Sequence, residues 1–114
     1  MPRPKATDGL FSVVLVTCPA EATESIARAV MDGRTAACVN IVAHVRSLYR
    51  WKGKVEAAEE CLLLIKTRTA LLGELERVVR AKHPYEVPEF VALPITRGNR
   101  EYLDWIEEAT GRPT

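Results

Sequence analysis

Residues 36–67 read AACVNIVAHVRSLYRWKGKVEAAEECLLLIKT, and this stretch decides the fold. Its centre, Lys52-Gly53-Lys54, is typical of a hairpin turn between two apolar runs. We predict a strand over Ala36–Ala43 that continues to Trp51, and a return strand over about Val55–Thr67. Strands in globular proteins usually have about five or six residues. The tip of this hairpin should therefore project beyond its sheet.

Helical and strand patterns alternate on either side of the hairpin. The predicted elements are a strand over Phe11–Cys18, a helix from Pro19 to Gly33, a helix over Thr69–Lys82, a strand over Phe90–Thr96 and a helix over Arg100–Ala109 that is capped by Gly98-Asn99. Pro94 cannot donate to a ladder, which places the last strand at an edge or a bulge. The order β-α-β-β-α-β-α predicts an α+β fold, a ferredoxin-like βαββαβ sandwich with an added C-terminal helix.

The strands are apolar on both faces. Phe11, Val13 and Leu15 alternate with Val14 and Val16, which are also apolar, whereas a sheet with one face in water alternates apolar and polar residues. Two helices cover one face only, and the C-terminal helix is too short to cover all of the other. Since monomers rarely expose a large apolar patch, we expect a homo-oligomer that buries the second face.

Composition limits the class of protein. The chain has 114 residues and a net charge of +1. We expect one domain over residues 10–112 after a disordered tail over residues 1–9. The balanced charge gives no support to nucleic-acid binding, and no apolar run reaches the ~20 residues that span a membrane. The three cysteines form no CxxC pair and predict free thiols in a reducing cytoplasm.

The connection His83-Pro84-Tyr85-Glu86-Val87-Pro88-Glu89-Phe90 concentrates the chemistry of the chain. The imidazole of His83 and the carboxylates of Glu86 and Glu89 suit zinc, copper, iron or nickel. From residue types alone, a structural interpretation is favoured over a dedicated metal site: His83 complements the dipole of the preceding helix, and the prolines stop that helix and stiffen the next strand.

Cys18 stands at the end of the first strand, directly before a helix start. A helix N-terminus lowers a thiol's pKa, so Cys18 is a candidate third metal ligand, or a nucleophile paired with His83. No residue that would orient the histidine is identifiable, and a buried inert cysteine is the favoured alternative.

The hairpin tip carries Tyr49 and Trp51 among basic residues. This combination occurs in nucleic-acid-binding arms, but the return strand lacks the RNP signature and is apolar or acidic instead. We interpret the two aromatics as anchors that clasp another subunit. His44, in the middle of a strand, is assigned to packing or to an interface.

With these residues in place, the chain resembles the CutA family, the divalent-cation tolerance proteins. The resemblance runs from about Val13 to Trp105. It is carried by Thr17 with Pro19 and Ala22, Ala36-Ala37-Cys38-Val39-Asn40-Ile41, Ser47-Leu48-Tyr49, Trp51, Gly53, Glu60, Ile65-Lys66-Thr67, His83-Pro84-Tyr85-Glu86, Pro88-Glu89, Tyr102-Leu103 and Trp105.

The resemblance implies a homotrimer related to the PII signalling proteins, in which long hairpins cross subunit boundaries. It also implies copper or other divalent metal ligands at His83 and Glu89, with Cys18 two residues after Val16, where some relatives have cysteine. Where some relatives carry a second histidine, this chain has Lys82. We expect a ligand cleft between subunits at Tyr85, Glu86, Lys66 and Trp51, and a trimer interface at Tyr49, Trp51 and Trp105.

The resulting expectation is a cytoplasmic, non-catalytic homotrimer that binds divalent metal ions, Cu²⁺ among them, or a small ligand at inter-subunit clefts. No firm cofactor, nucleic acid or membrane is implied. The alternative is a structural, interaction or signalling trimer that affects metal tolerance indirectly. A third interpretation is a small hydrolase that uses Cys18 and His83.

Overall fold

The computed structural model describes residues 5–6 and 9–111 of the chain, and its strands belong to two antiparallel sheets. The strands are β1 (Lys5–Ala6), β2 (Phe11–Cys18), β3 (Cys38–Trp51), β4 (Lys54–Arg68), β5 (Val91–Pro94) and β6 (Arg97–Gly98). The helices are α1 (Ala20–Asp32), α2 (Leu72–Lys82), which follows a 3-10 turn at Thr69–Leu71, and α3 (Arg100–Ala109).

The main sheet has the strand order β3-β4-β2-β5. Together with the chain order of the helices, this arrangement confirms the predicted ferredoxin-like α+β sandwich with a C-terminal helix. β5 lies at an edge of the sheet, as predicted from Pro94. An edge strand leaves one row of backbone groups without a ladder partner, so it tolerates a proline, which has no N–H to donate.

The helix-covered face of the sheet forms the main core. Buried and half-buried residues alternate over Ser12–Cys18 of β2 and Cys61–Arg68 of β4, since successive side chains point to opposite faces. The buried set includes Val14, Val16, Leu63 and Ile65, which pack with residues of both main helices. Ile26 of α1 and Leu75 of α2 have no exposed surface.

The opposite face of the sheet is covered only at one end. There Phe11 and Ala37 pack with Leu103 and Ile106 of α3. Farther along, the face carries three cross-strand rows: Cys38, Lys66, Val13 and Leu93; Asn40, Leu64, Leu15 and Val91; and Val42, Leu62 and Thr17. We call these three rows the open face. Val91 and Leu93 remain 46% and 45% exposed, so α3 is too short to cover the face, as predicted.

The hairpin of β3 and β4 projects beyond the sheet. β2 pairs with β4 only as far as Cys61, so residues 54–60 pair with β3 alone over about 24 Å at about 3.4 Å per residue. The Cα radius of gyration is 15.3 Å, above the ~13 Å expected of a compact chain of this length. The prediction of a projecting tip is confirmed.

Three residues with left-handed backbone conformation shape the hairpin. His44 has φ 63° within a register shift between Val42 and Val45, so it lies in a β-bulge and is exposed rather than packed in a regular strand. Bulges increase the local twist of a hairpin. At the tip, Lys52 and Gly53 have φ 51° and 78°, which matches the tight turn expected there.

Several boundaries differ from the sequence-based prediction. β5 covers Val91–Pro94 only, since Pro94 supplies no N–H to continue the ladder. His83 is not in the last helical turn: its φ of −78° and ψ of 134° are extended, as the residue before a proline prefers. Gly33 ends α1 with φ −82°, while the left-handed residue is Arg34.

The expected disordered tail over residues 1–9 stays a prediction, although two of its residues are paired. Lys5–Ala6 forms a short antiparallel ladder with Arg97–Gly98, so this segment belongs to a strand. Residues 1–4, 7–8 and 112–114 lie outside the described residues, and the predicted domain limits stay predictions there. No helix in the part of the chain described here is both long and apolar enough to cross a membrane.

Candidate functional site

His83 joins the end of α2 to the end of β2. The imidazole is 7% exposed, and its Nε2 lies 2.8 Å from the backbone oxygen of Thr17. Its Nδ1 accepts a hydrogen bond from the Tyr85 N–H at 3.1 Å. An acceptor Nδ1 requires the proton on Nε2, which then donates to Thr17. Both ring nitrogens are therefore used by backbone groups in the protomer, so metal ligation by His83 would require one of these bonds to open.

Tyr85 links the same connection to the base of the hairpin. Its hydroxyl donates to Glu60 Oε2 at 2.9 Å, and its ring lies 4.8 Å from the His83 ring between centroids. Glu60 is buried. Burial, followed by the hydrogen bond to Glu60 and the negative charge of that carboxylate, raises the pKa of Tyr85 to about 12. The phenol thus stays protonated and serves as a donor.

Glu89 reaches β2 from the other end of the connection. The Thr17 hydroxyl donates to Glu89 Oε1 at 3.4 Å. The structure therefore brings His83 and Glu89 to the same residue, Thr17. His83 contacts its carbonyl and Glu89 contacts its hydroxyl. Glu86 is exposed. Among the predicted ligands, the carboxylates of Glu86 and Glu89 remain open to a cation from outside the protomer.

Cys18 points away from that pair. It belongs to the core beneath the helices, whereas the side chain of its neighbour Thr17 lies on the opposite side of β2. Its Sγ lies 3.4 Å from the Thr23 hydroxyl. Burial raises the pKa of the Cys18 thiol, against the opposing effect of the Thr23 hydrogen bond. The protomer therefore provides no ready Cys18 thiolate paired with His83, as a Cys–His hydrolase would need.

No group of three His, Cys, Asp or Glu side chains in the described residues is arranged to hold a metal ion. Cys18, His83 and Glu89 all cluster around the end of β2, but on different sides of it. Ligation by these three residues stays a prediction, and a cation would need further ligands from elsewhere.

The predicted cleft residues are dispersed within one protomer. Tyr85 and Glu86 lie in the connection, Lys66 lies on the open face, and Trp51 stands near the tip of the hairpin. The Lys66 ammonium donates to Asn40 Oδ1, which also accepts from Cys38 Sγ at 3.6 Å. A cleft shared by these four residues stays a prediction.

The three predicted interface aromatics are exposed. Trp51 is 53% exposed and Tyr49 46%. The Trp105 ring lies tilted against that of Tyr102 on the same helix, with ring centroids 5.4 Å apart. These values leave the side chains free to contact another molecule, and their place in an interface stays a prediction.

Sequence reasoning missed two features of this region. It named Glu60 only among the residues that carry the family resemblance, and so did not find its bond to Tyr85. It also treated the cysteines as unrelated, whereas Cys18 stands directly opposite Cys61 in the ladder. A register deduced from the hairpin and from β2 together would have been needed to find either.

Comparisons with known proteins agree with this architecture. Residues 12–109 match the family model described as CutA1 divalent ion tolerance protein. The divalent-cation tolerance protein CutA of Thermus thermophilus is 55% identical over 100 residues, which cover 87% of this chain and 97% of that protein. These relatives are named as tolerance proteins, and no catalytic activity is indicated.

Solved structures give the same result. The structure of the divalent cation tolerance protein Cut A1 from Thermus thermophilus superposes with a TM-score of 0.86 at 53% identity, covering 90% of this chain and 100% of that one. A structure described as the periplasmic divalent cation tolerance protein CutA from Archaeoglobus fulgidus has a TM-score of 0.86 at 39% identity, with coverage of 90% and 100%. On this match in sequence and fold, the chain belongs to the CutA1 divalent ion tolerance protein family.

Proposed function

We propose that this protein acts in divalent-cation tolerance as a non-catalytic homotrimer of the PII-like kind, which binds divalent metal ions such as Cu²⁺, or a small ligand, at clefts between its subunits. The printed names of its relatives support the role in tolerance. The trimer and the clefts are carried to this chain by the resemblance described above.

The observation that carries the proposal is the open face of the sheet. Leu15, Leu62 and Leu64 are only half-buried there, beside the more exposed Val91 and Leu93. Contiguous apolar surface of this kind marks an interaction site. The projecting hairpin offers Tyr49 and Trp51, residue types that are enriched at interfaces. A second copy supplies both a surface for the hairpin and a cover for the face.

Assembly also accounts for the dispersed cleft residues. Glu86 and Glu89 present carboxylates near the end of β2, and carboxylate oxygens bind divalent cations. Lys66 and Trp51 are remote from them in one protomer, so they join the cleft from neighbouring subunits. A cation bound there uses Glu89 as its first protein ligand, and His83 positions the connection.

Sedimentation velocity at micromolar concentration tests the assembly. We expect a single species of three times the mass of one chain. A monomer at this concentration would contradict the proposal, because the open face would then remain exposed to water without a covering subunit.

Calorimetric titration with Cu²⁺ and with Zn²⁺ tests the binding. We expect a saturable isotherm for the wild-type trimer and weaker binding for Glu89→Gln, since the amide removes the charge and keeps the shape. Glu107→Gln, an exposed change on α3, is the matched control. Equal isotherms for wild type, Glu89→Gln and His83→Ala, all trimeric, would remove this connection from the account.

The second candidate function is a structural or interaction trimer that affects metal tolerance indirectly. The two backbone hydrogen bonds of His83 favour it, because they occupy both ring nitrogens. It predicts that His83→Ala lowers the melting temperature or alters assembly while the Cu²⁺ isotherm stays unchanged.

We place the protein in the cytoplasm, in keeping with its three free thiols. Fractionation of cells that express the tagged chain would test this location.

A further inference from the structure

Two cysteines that are far apart in sequence stand side by side in the sheet. Cys18, the last residue of β2, is the direct ladder partner of Cys61 on β4. Directly opposed residues point to the same face, and both side chains belong to the core beneath the helices. Both are free thiols. In this geometry neither sulfur is a ligand of the proposed cation cleft at Glu86 and Glu89.

The spacing of such a pair suits a single ion between the two sulfurs. Opposed residues of antiparallel strands have Cβ atoms about 4.5–5.5 Å apart. Two metal–sulfur bonds of about 2.3 Å span about 4.6 Å. Where the two Cβ–Sγ bonds run parallel, the sulfurs keep the separation of the Cβ atoms, and one ion can then bond to both sulfurs without displacement of either strand.

The number of ligands selects the kind of ion. The described residues offer no third His, Cys, Asp or Glu arranged with this pair to hold a metal. Zinc takes four ligands in structural sites, so two sulfurs alone do not satisfy it. Thiolates are soft ligands that select Cu(I), and closed-shell monovalent ions of this type accept two ligands.

The surroundings exclude water and act on the charge of such a complex in both directions. Burial and the negative charge of Glu60 raise the pKa of the Cys18 thiol, whereas the Thr23 hydrogen bond lowers it. Cys18 lies just before the start of α1, so its sulfur is near the positive end of that helix. The Thr23 hydroxyl is within hydrogen-bond distance of Cys18 Sγ. Val16 and Leu63, the next pair on the same face, have no exposed surface. Cys61 retains 7% exposure, which leaves one side of the pair near solvent.

We propose that Cys18 and Cys61 form a two-coordinate site for a thiophilic monovalent cation, Cu(I) or Ag(I), inside each protomer. On binding, each thiol releases its proton to solvent, two sulfur–metal bonds form, and the oxidation state of the metal does not change. The site is separate from the proposed divalent-cation cleft and does not depend on assembly.

The test is an anaerobic titration of the reduced protein with Cu(I) against the chromophoric competitor bicinchoninate. We expect one Cu(I) per chain to be retained by the wild type. Cys18→Ala and Cys61→Ala should each weaken binding at least about a hundredfold, because each removes a ligand. Cys38→Ala, which removes the half-buried thiol of the open face, is the matched control and should bind as the wild type does.

X-ray absorption on the Cu(I)-loaded wild type keeps the proposal falsifiable if an alanine variant fails to fold. We expect two sulfur neighbours only. Nitrogen or oxygen neighbours, or an equal loss of Cu(I) in Cys38→Ala, would overturn the assignment. A protein that loses two hydrogens on mild oxidation and retains no Cu(I) when reduced would identify a disulfide pair instead. Glu89→Gln should retain Cu(I), so failure of the divalent-cation proposal is distinguishable from failure of this one.

Discussion

At the residue scale, a small network decides how the connection after α2 is held. His83 bonds to the backbone at Thr17 and at Tyr85, and Tyr85 bonds to the buried carboxylate of Glu60. The imidazole therefore ties the connection to β2, and the phenol ties it to the base of the hairpin. Buried polar groups are costly unless they are bonded. His83, a residue type that suggests a metal ligand, thus also has a structural role in this connection.

Tyr85→Phe removes one hydroxyl from this network. We expect the free energy of unfolding to fall by about 1 kcal/mol near neutral pH, because Glu60 loses a hydrogen-bond donor. The pH dependence should be specific. The folded pKa of Tyr85 is raised to about 12 from its ordinary value of 10.0, so its contribution is present below pH 10 and is lost as pH rises toward 12.

Denaturant unfolding of both proteins between pH 7 and pH 12 measures this difference. The gap between wild type and Tyr85→Phe should narrow above pH 10. Tyr102→Phe, which keeps the ring that contacts Trp105, is the control and should change stability by less than about 0.5 kcal/mol. A gap that does not vary with pH would show that the phenol does not titrate as described.

At the element scale, the ends of the helices and the hairpin bulge follow from local chemistry. Asn99 caps α3, and its side-chain oxygen accepts from the Tyr102 N–H at 3.1 Å. This cap orients α3 so that Leu103 and Ile106 reach Phe11. By contrast, α1 has Pro19 at its N-cap and no side-chain cap hydrogen bond. The start of α3 is therefore marked by a side-chain cap, whereas that of α1 is not.

Asn99→Ala should lower stability by about 1 kcal/mol, the usual cost of a lost N-cap. Thermal unfolding followed by circular dichroism measures it. Asn99→Ser restores an acceptor oxygen and should recover most of the loss. Equal losses for alanine and serine would mean that the side chain matters for packing rather than for the cap.

At the scale of the whole molecule, one sheet face is left largely uncovered by the helices of the protomer. α1 and α2 cover one side of the sheet, α3 covers an end of the other, and the hairpin extends past both. Leu64 lies in the middle row of the open face, between Asn40 and Leu15. It is the position at which a new charge would be most fully buried by a covering subunit.

Leu64→Glu should therefore weaken assembly at least about a hundredfold, or ~2.7 kcal/mol, because a buried unpaired charge is costly. Sedimentation over a concentration series measures the dissociation. Ala20→Glu adds the same charge at an exposed position of α1 and should leave assembly unchanged. Full assembly of Leu64→Glu would show that the open face is not the interface.

The sequence by itself determined the order of the elements, the edge position of β5, the projecting hairpin and the two-sided apolar strands, because these follow from local periodicity and from turn residues. It also carried the family signature. Only the tertiary structure decided that His83 uses both ring nitrogens on the backbone, that Tyr85 meets Glu60, and that Cys18 faces Cys61. The physical reason is register: which residues become neighbours depends on how β2, β4 and the connection after α2 align, and residues 25 to 66 positions apart carry no local pattern that records it.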